Sequence, residues 1–280
     1  MKPNLQNIHG EWIFTFPTEI EDQNESFYNA IDLIDYNEVK CQRVLKSIIN
    51  KFPECHIDAY VHISISFRNQ NKKHQSLIYA ISAYLIGKNC FPDKFKFGKD
   101  LLKWTHLSNR PFLRSCQNLG LEYMHHENYE RAIEVLKENI EFYKGDNQGN
   151  RYLLLECFFK THRYKDLGRH IELYQDWSAD FLYGKILFDI LINDGKNIQE
   201  LIGDALDYNP HILSQILKET HIKPNPIRIK GEPHFDVGSP VGSIQEAYDY
   251  WEKYRTFYNQ EEIKSHFYKV NKTLLKKSRK

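Results

Sequence analysis

The chain has 280 residues, enough to bury a substantial core as one elongated domain or two compact ones. Its 38 basic and 37 acidic side chains nearly cancel, so net charge points to neither nucleic acid nor an anionic membrane surface as the partner. Hydrophobic residues at 41% and aromatics at 14% suit packed amphipathic helices, and nowhere do about eighteen apolar residues run uninterrupted, which argues against a membrane span.

Residues 1–21 form an N-terminal arm, MKPNLQNIHGEWIFTFPTEIE, whose apolar residues are broken up by Asn, His, Gly and Glu; it has no signal-peptide apolar region. Helical patterning begins at about residue 22. A first helix pair, about 22–56, ends near Pro53, and a second, 57–90, sets Ser64 and Phe67 on one helix and Ala80 and Ala83 on the next. Residues 91–112 form an insertion with two prolines, predicted to hold a short helix near Phe97 to His106. Three further pairs follow, at 113–147, 148–178 and 179–212, the last closing at Pro210.

Beyond a helix in HILSQILKET, residues 221–242 are rich enough in Pro and Gly to predict an irregular loop. Ser243 three residues ahead of Glu246 is a capping box, so a helix begins there and caps the last pair. The tail from Lys264 to Lys280 is basic throughout, but Phe267, Val270, Leu274 and Leu275 are spaced to pack one side of a terminal helix.

The best-defined pair, 113–147, carries Leu119-Gly120, Tyr123, Tyr129, Ala132 and Leu136 in order. Small residues at 120 and 132 let two antiparallel helices cross closely, and the large ones fill the space around the crossing. Thirty-five residues on, Tyr164 falls where Tyr129 stood and Ile171 near Leu136; Ala205 and Pro210 take the late positions of the last pair. The spacing resembles the tetratricopeptide repeat, which implies an all-α fold: a helical-hairpin solenoid, or α-α superhelix, with a concave face and a C-terminal capping helix. NRPFLR (109–114), DNQGNRYLLLE (146–156), Asn209-Pro210-His211, the Asp236–Gly242 loop and the Ala247-Tyr248 helix together resemble bacterial tetratricopeptide-repeat proteins. More distantly they resemble the C-terminal half of the suppressor-of-tumorigenicity protein family, over about 109–258. That resemblance brings no catalytic residues with it.

Arg114 and Arg151 stand early in predicted helices, where the macrodipole makes a cation mildly unfavourable. One reading is a polar clamp in which they hold a carboxylate of a bound peptide, with Asn118 and Asn147 assisting and Asn109 and Arg110 adjoining. The other is that each arginine pairs with a nearby carboxylate such as Asp146 or Glu122 and ties helices together. Asp146 and Asn147 can bond amides at the start of the following helix, and Gly149 can take a left-handed conformation in that turn.

His211, His234 and Asp236 bracket the Pro/Gly loop and form a possible secondary site, the basis of an alternative reading as an enzyme or small-molecule binder. Phosphate-loop, dinucleotide and zinc-protease motifs are missing. Five widely spaced cysteines without a C-x-x-C pair disfavour disulfides or structural zinc and suit a reducing cytosol. Cys116, Cys157 and His170 read as core, and His125-His126 as a turn. The expectation is a cytoplasmic scaffold that binds a protein or peptide in its concave groove and needs no metal or other cofactor; nucleic-acid binding through the basic tail ranks third.

Overall fold

The computed structural model describes residues 2–229, 232–236 and 238–277, with side chains for 2–227 and 238–274. Among these the architecture is helical, with two short β-hairpins. The chain divides into two compact units, Met1–Cys157 and Phe158–Lys280.

The first unit opens with β1 (Asn4–Ile8) and β2 (Glu11–Thr15), paired antiparallel around His9-Gly10, both at positive φ as a tight hairpin turn requires. The arm is therefore a hairpin. Leu5, Trp12 and Phe14 are buried, and Phe14 packs on Phe91 and Phe112. Then come α1 (Asn24–Ile31), α2 (Glu38–Lys51), α3 (Ile57–Asn69), α4 (Lys73–Lys88), α5 (Arg110–His125), α6 (Tyr129–Phe142) and α7 (Asn150–Lys160), within which the first unit ends at Cys157. Side-chain acceptors cap several starts: Asn37 takes Lys40 N–H, His56 takes Ala59 N–H and Asn128 takes Arg131 N–H.

Small residues set the helix crossings. A methyl group on Gly120 would lie 2.6 Å from Leu136, so glycine is what lets α5 and α6 meet; Ala132 is fully buried at the same crossing. Ser64 and Ser76 lie hydroxyl to hydroxyl at 3.2 Å between α3 and α4.

The helix expected between Phe97 and His106 does not form. Gly98 adopts φ +76°, Lys96 N–H turns back onto Asp100, and Leu102 N–H donates to Phe142 C=O at 2.7 Å. Phe91, Phe95 and Phe97 all pack on the Phe142 ring, and those aromatic anchors hold an irregular chain down.

The second unit contains α8 (Tyr164–Leu173), α9 (Ala179–Asn193), α10 (Ile198–Tyr208), α11 (Pro210–Leu217), α12 (Ile244–Tyr258) and α13 (Glu261–Lys277). Helix α9 is the core element, with Phe181, Tyr183, Ile186 and Leu187 fully buried. The Pro/Gly stretch is less irregular than expected, since β3 (Arg228–Ile229) and β4 (Glu232–Asp236) form a short antiparallel ladder. Ser243 caps α12 by accepting Glu246 N–H, but the returning Glu246 carboxylate bonds Gly242 N–H instead of closing the box on Ser243. The basic tail is helical as far as Lys277: Phe267 and Val270 are fully buried and Lys264 donates to Lys218 C=O.

Candidate functional site

The arginines that sequence reasoning singled out meet different carboxylates at two separate helix joints. Asp58 sits in the first turn of α3, where a negative charge is favourable, and Arg114 reaches it side-on from α5. Arg114 Nε donates to Asp58 Oδ1 at 3.0 Å and Nη2 donates to Oδ2. The Nη1 amino group makes no hydrogen bond among the described residues. At the α6–α7 joint, buried Asp146 accepts Asn150 N–H at 2.7 Å and Arg151 N–H at 3.0 Å, while Arg151 Nη1 returns to its Oδ2 at 3.1 Å. Arg151 also stacks on the Tyr152 ring at 4.3 Å. Gly149 stands at φ +73° in that turn. The position of each arginine early in a helix is thus offset by a carboxylate that also caps or occupies a helix N-terminus.

Two residues placed in the clamp are interior ones. Asn109 is fully buried beside β2: its Oδ1 accepts Phe14 N–H at 2.9 Å and its Nδ2 donates to Trp12 C=O at 3.0 Å, so its amide group completes the open edge of the hairpin. Asn118 is buried between α3 and α5, donating to Ser64 Oγ at 2.9 Å and accepting from Arg68, which in turn pairs with buried Glu122 at 2.7 Å. Both are buried, so neither presents its amide to a partner at the surface. Arg110 is half-buried, its Nε on Trp104 C=O and its guanidinium over the Trp104 ring; Asn147 is exposed.

What α5 does offer outward is a half-exposed stripe, Arg110, Arg114, Gln117 and Leu121, at helical spacing. Its N-terminal end opens on a cavity of about 420 Å³ walled by Phe16, Ile20, Phe27 and Tyr28, with Asp58 and Arg114 as its ion pair. His56 also lines it. Its Nδ1 accepts Ala59 N–H, so the neutral ring carries its proton on Nε2, where it has no hydrogen-bond partner; burial lowers its pKa. Sequence reasoning found Arg114 but missed His56, Asp58 and the aromatic wall, which come from segments whose sequences carry no local signal of a shared site. A second cavity, about 560 Å³, lies between α4 and α6 over Leu119 and Tyr123. There Glu138 accepts Tyr84 O–H at 2.6 Å and pairs with Lys88, and burial together with Glu138 pushes the Tyr84 phenol up.

In the second unit, Asn209 is a structural hub: Oδ1 caps α11 through His211 N–H, and Nδ2 donates to Ser243 C=O and Glu246. The His211 side chain is exposed, whereas the side chains of His234 and Asp236 lie outside the described residues. No group of three or more His, Cys, Asp or Glu among the described residues could hold a metal ion. Burial pushes the thiols of Cys41, Cys55 and Cys90 up to about 11 and that of Cys116 far above its ordinary value, away from nucleophilic thiolate. No described helix is long and apolar enough to cross a membrane.

No protein-family model matches the chain, and no curated protein does. Among solved structures it is similar to one described as a MamA RS-1 ArsTM double mutant, with TM-score 0.51 and 12% identity over 66% of this chain and 94% of that one. It is also similar to the nearly identical TPR-like repeats of a Podosopora anserina putative kinesin light chain, with TM-score 0.50 and 8% identity over 66% and 94% of the two chains. At these identities the likeness is one of fold, a tetratricopeptide-like helical repeat; kinship with the suppressor-of-tumorigenicity family has no support from these comparisons.

Proposed function

We propose that this protein is an interaction scaffold that holds an extended segment of a partner protein along the half-exposed stripe of α5, anchored at the cavity beside Arg114. The observation that carries this reading is that cavity, in which an aromatic wall surrounds an arginine with donors to spare. An apolar side chain of the partner fills the aromatic wall, and a carboxylate meets Arg114 Nη1, the type of group that guanidinium recognises best. Arg110 lies on the same stripe, and Asn147 and Arg151 contribute at its margin. The fold supports the reading, since stacked helical hairpins present such stripes as binding surfaces. Residues 209–242 remain the place to look for a small-molecule site.

The test is capture of partners from a native lysate on the wild-type chain beside an Arg114→Gln/Leu121→Glu variant with matched helicity and melting temperature, followed by calorimetry with segments of any partner retained. A short segment that reproduces the affinity of the whole partner and loses it on the variant supports the proposal. A partner bound equally by both forms, or none retained by either, removes it.

A further inference from the structure

We infer that the cavity beside Arg114 is a tyrosine pocket, in which the anchoring side chain of the bound segment is a phenol whose hydroxyl meets His56 and Asp58. This rests on the scaffold reading and specifies the anchor that reading leaves open.

His56 supplies the first half of the recognition. Its side chain lines the cavity yet is 6% exposed, and Nδ1 is committed to Ala59 N–H at 3.2 Å in the cap of α3. The proton therefore sits on Nε2, on the edge of the ring turned away from that backbone, where neither protein nor bulk water accepts it. Asp58 supplies the second half. It stands two residues on in the same first turn, near enough for its charge to act on the imidazole. Each of its oxygens accepts one hydrogen bond from Arg114, and a carboxylate offers about four acceptor sites, so both oxygens keep capacity. A lone N–H donor beside a carboxylate with acceptors to spare is matched by one group in particular, a hydroxyl, which accepts from the first and donates to the second.

The walls decide what carries that hydroxyl. Phe16, Phe27 and Tyr28 line the same cavity of about 420 Å³. The Phe27 and Tyr28 rings lie 5.4 Å apart at 66°, so a third ring entering beside them finds both a face and an edge to pack on. Serine or threonine would reach the polar pair without filling the walls. Phenylalanine would fill the walls and leave Nε2–H unpaired. A carboxylate would meet the Asp58 charge, and an ammonium cannot accept from Nε2–H. Tyrosine is the side chain that satisfies walls and floor together.

The test is a chemical-shift titration of the full chain, followed at the Phe27 and His56 rings, with N-acetyl-Glu-Tyr-amide and N-acetyl-Glu-Phe-amide as probes. The tyrosine probe is expected to bind about tenfold more tightly, since the site is built to hydrogen-bond a hydroxyl. His56→Asn, which keeps an acceptor for Ala59 N–H, should bring the two probes to equal affinity with circular dichroism unchanged. Equal binding of both probes to the wild type, no response at Phe27 and His56, or a preference that survives in His56→Asn overturns the inference; the wild-type comparison stands even if the variant does not fold. N-acetyl-Gln-Tyr-amide separates this from the scaffold reading. If it binds as tightly as the Glu probe while tyrosine is still preferred, the carboxylate contact at Arg114 falls and the tyrosine pocket stands. If Glu is preferred over Gln but tyrosine is not preferred over phenylalanine, the pocket falls and the groove stands.

Discussion

Replacing Asn109 with alanine separates a structural amide from a binding one. The substitution strips the partner from Phe14 N–H, now held at 2.9 Å, and from Trp12 C=O, held at 3.0 Å, on the outer edge of β2. Both groups lie where the chain is buried, and a buried backbone group left unsatisfied costs about 1–3 kcal/mol. Two such groups would cost about 2–6 kcal/mol, and a water admitted to the space left by the side chain brings the figure toward about 3 kcal/mol. The damage is local to the hairpin, so the sensitive assay is hydrogen exchange at the Phe14 amide. A loss of about 3 kcal/mol corresponds to exchange faster by roughly a hundredfold, with the amides of α2 keeping their protection. Unchanged exchange at Phe14 in a folded variant refutes this account of Asn109. Partner binding lost with protection intact would return Asn109 to the contact surface.

Gly120→Ala should lower the urea midpoint, since the new methyl group meets Leu136 at 2.6 Å; overpacking of about 1–3 kcal/mol outweighs the helix propensity gained, about 1 kcal/mol. A midpoint that rises would show that α5 and α6 separate freely. His56 makes stability fall in mild acid. Burial holds its folded pKa below the ordinary 6.5, so the unfolded chain takes up the proton first. The contribution is complete above about pH 6.5 and is lost as pH falls from there through the lowered folded value. His56→Asn, which keeps an acceptor for Ala59 N–H, should flatten the fall in urea midpoint between about pH 7 and about pH 5; an unchanged slope would assign the titration elsewhere.

Sequence alone determined the repeat architecture, because its information is local. The order Leu119, Gly120, Tyr123, Tyr129, Ala132, Leu136 fits one helical hairpin, and the capping role of Asp146, the positive φ of Gly149 and the start of α12 at Ser243 are each set within a few residues. Tertiary structure decided everything that depends on groups far apart in the chain. The N-terminal arm becomes a hairpin because an asparagine 95 residues away from Phe14 completes its edge, and the residues after Phe91 stay irregular because their aromatic rings are drawn to Phe142. Arg114 was visible as a cation early in a helix, but its partner Asp58 lies 56 residues away on another helix. Helical periodicity records which face of a helix is apolar; it says nothing of which distant side chain meets that face, so the carboxylates, the histidine and the aromatic wall of the cavity come together only on folding.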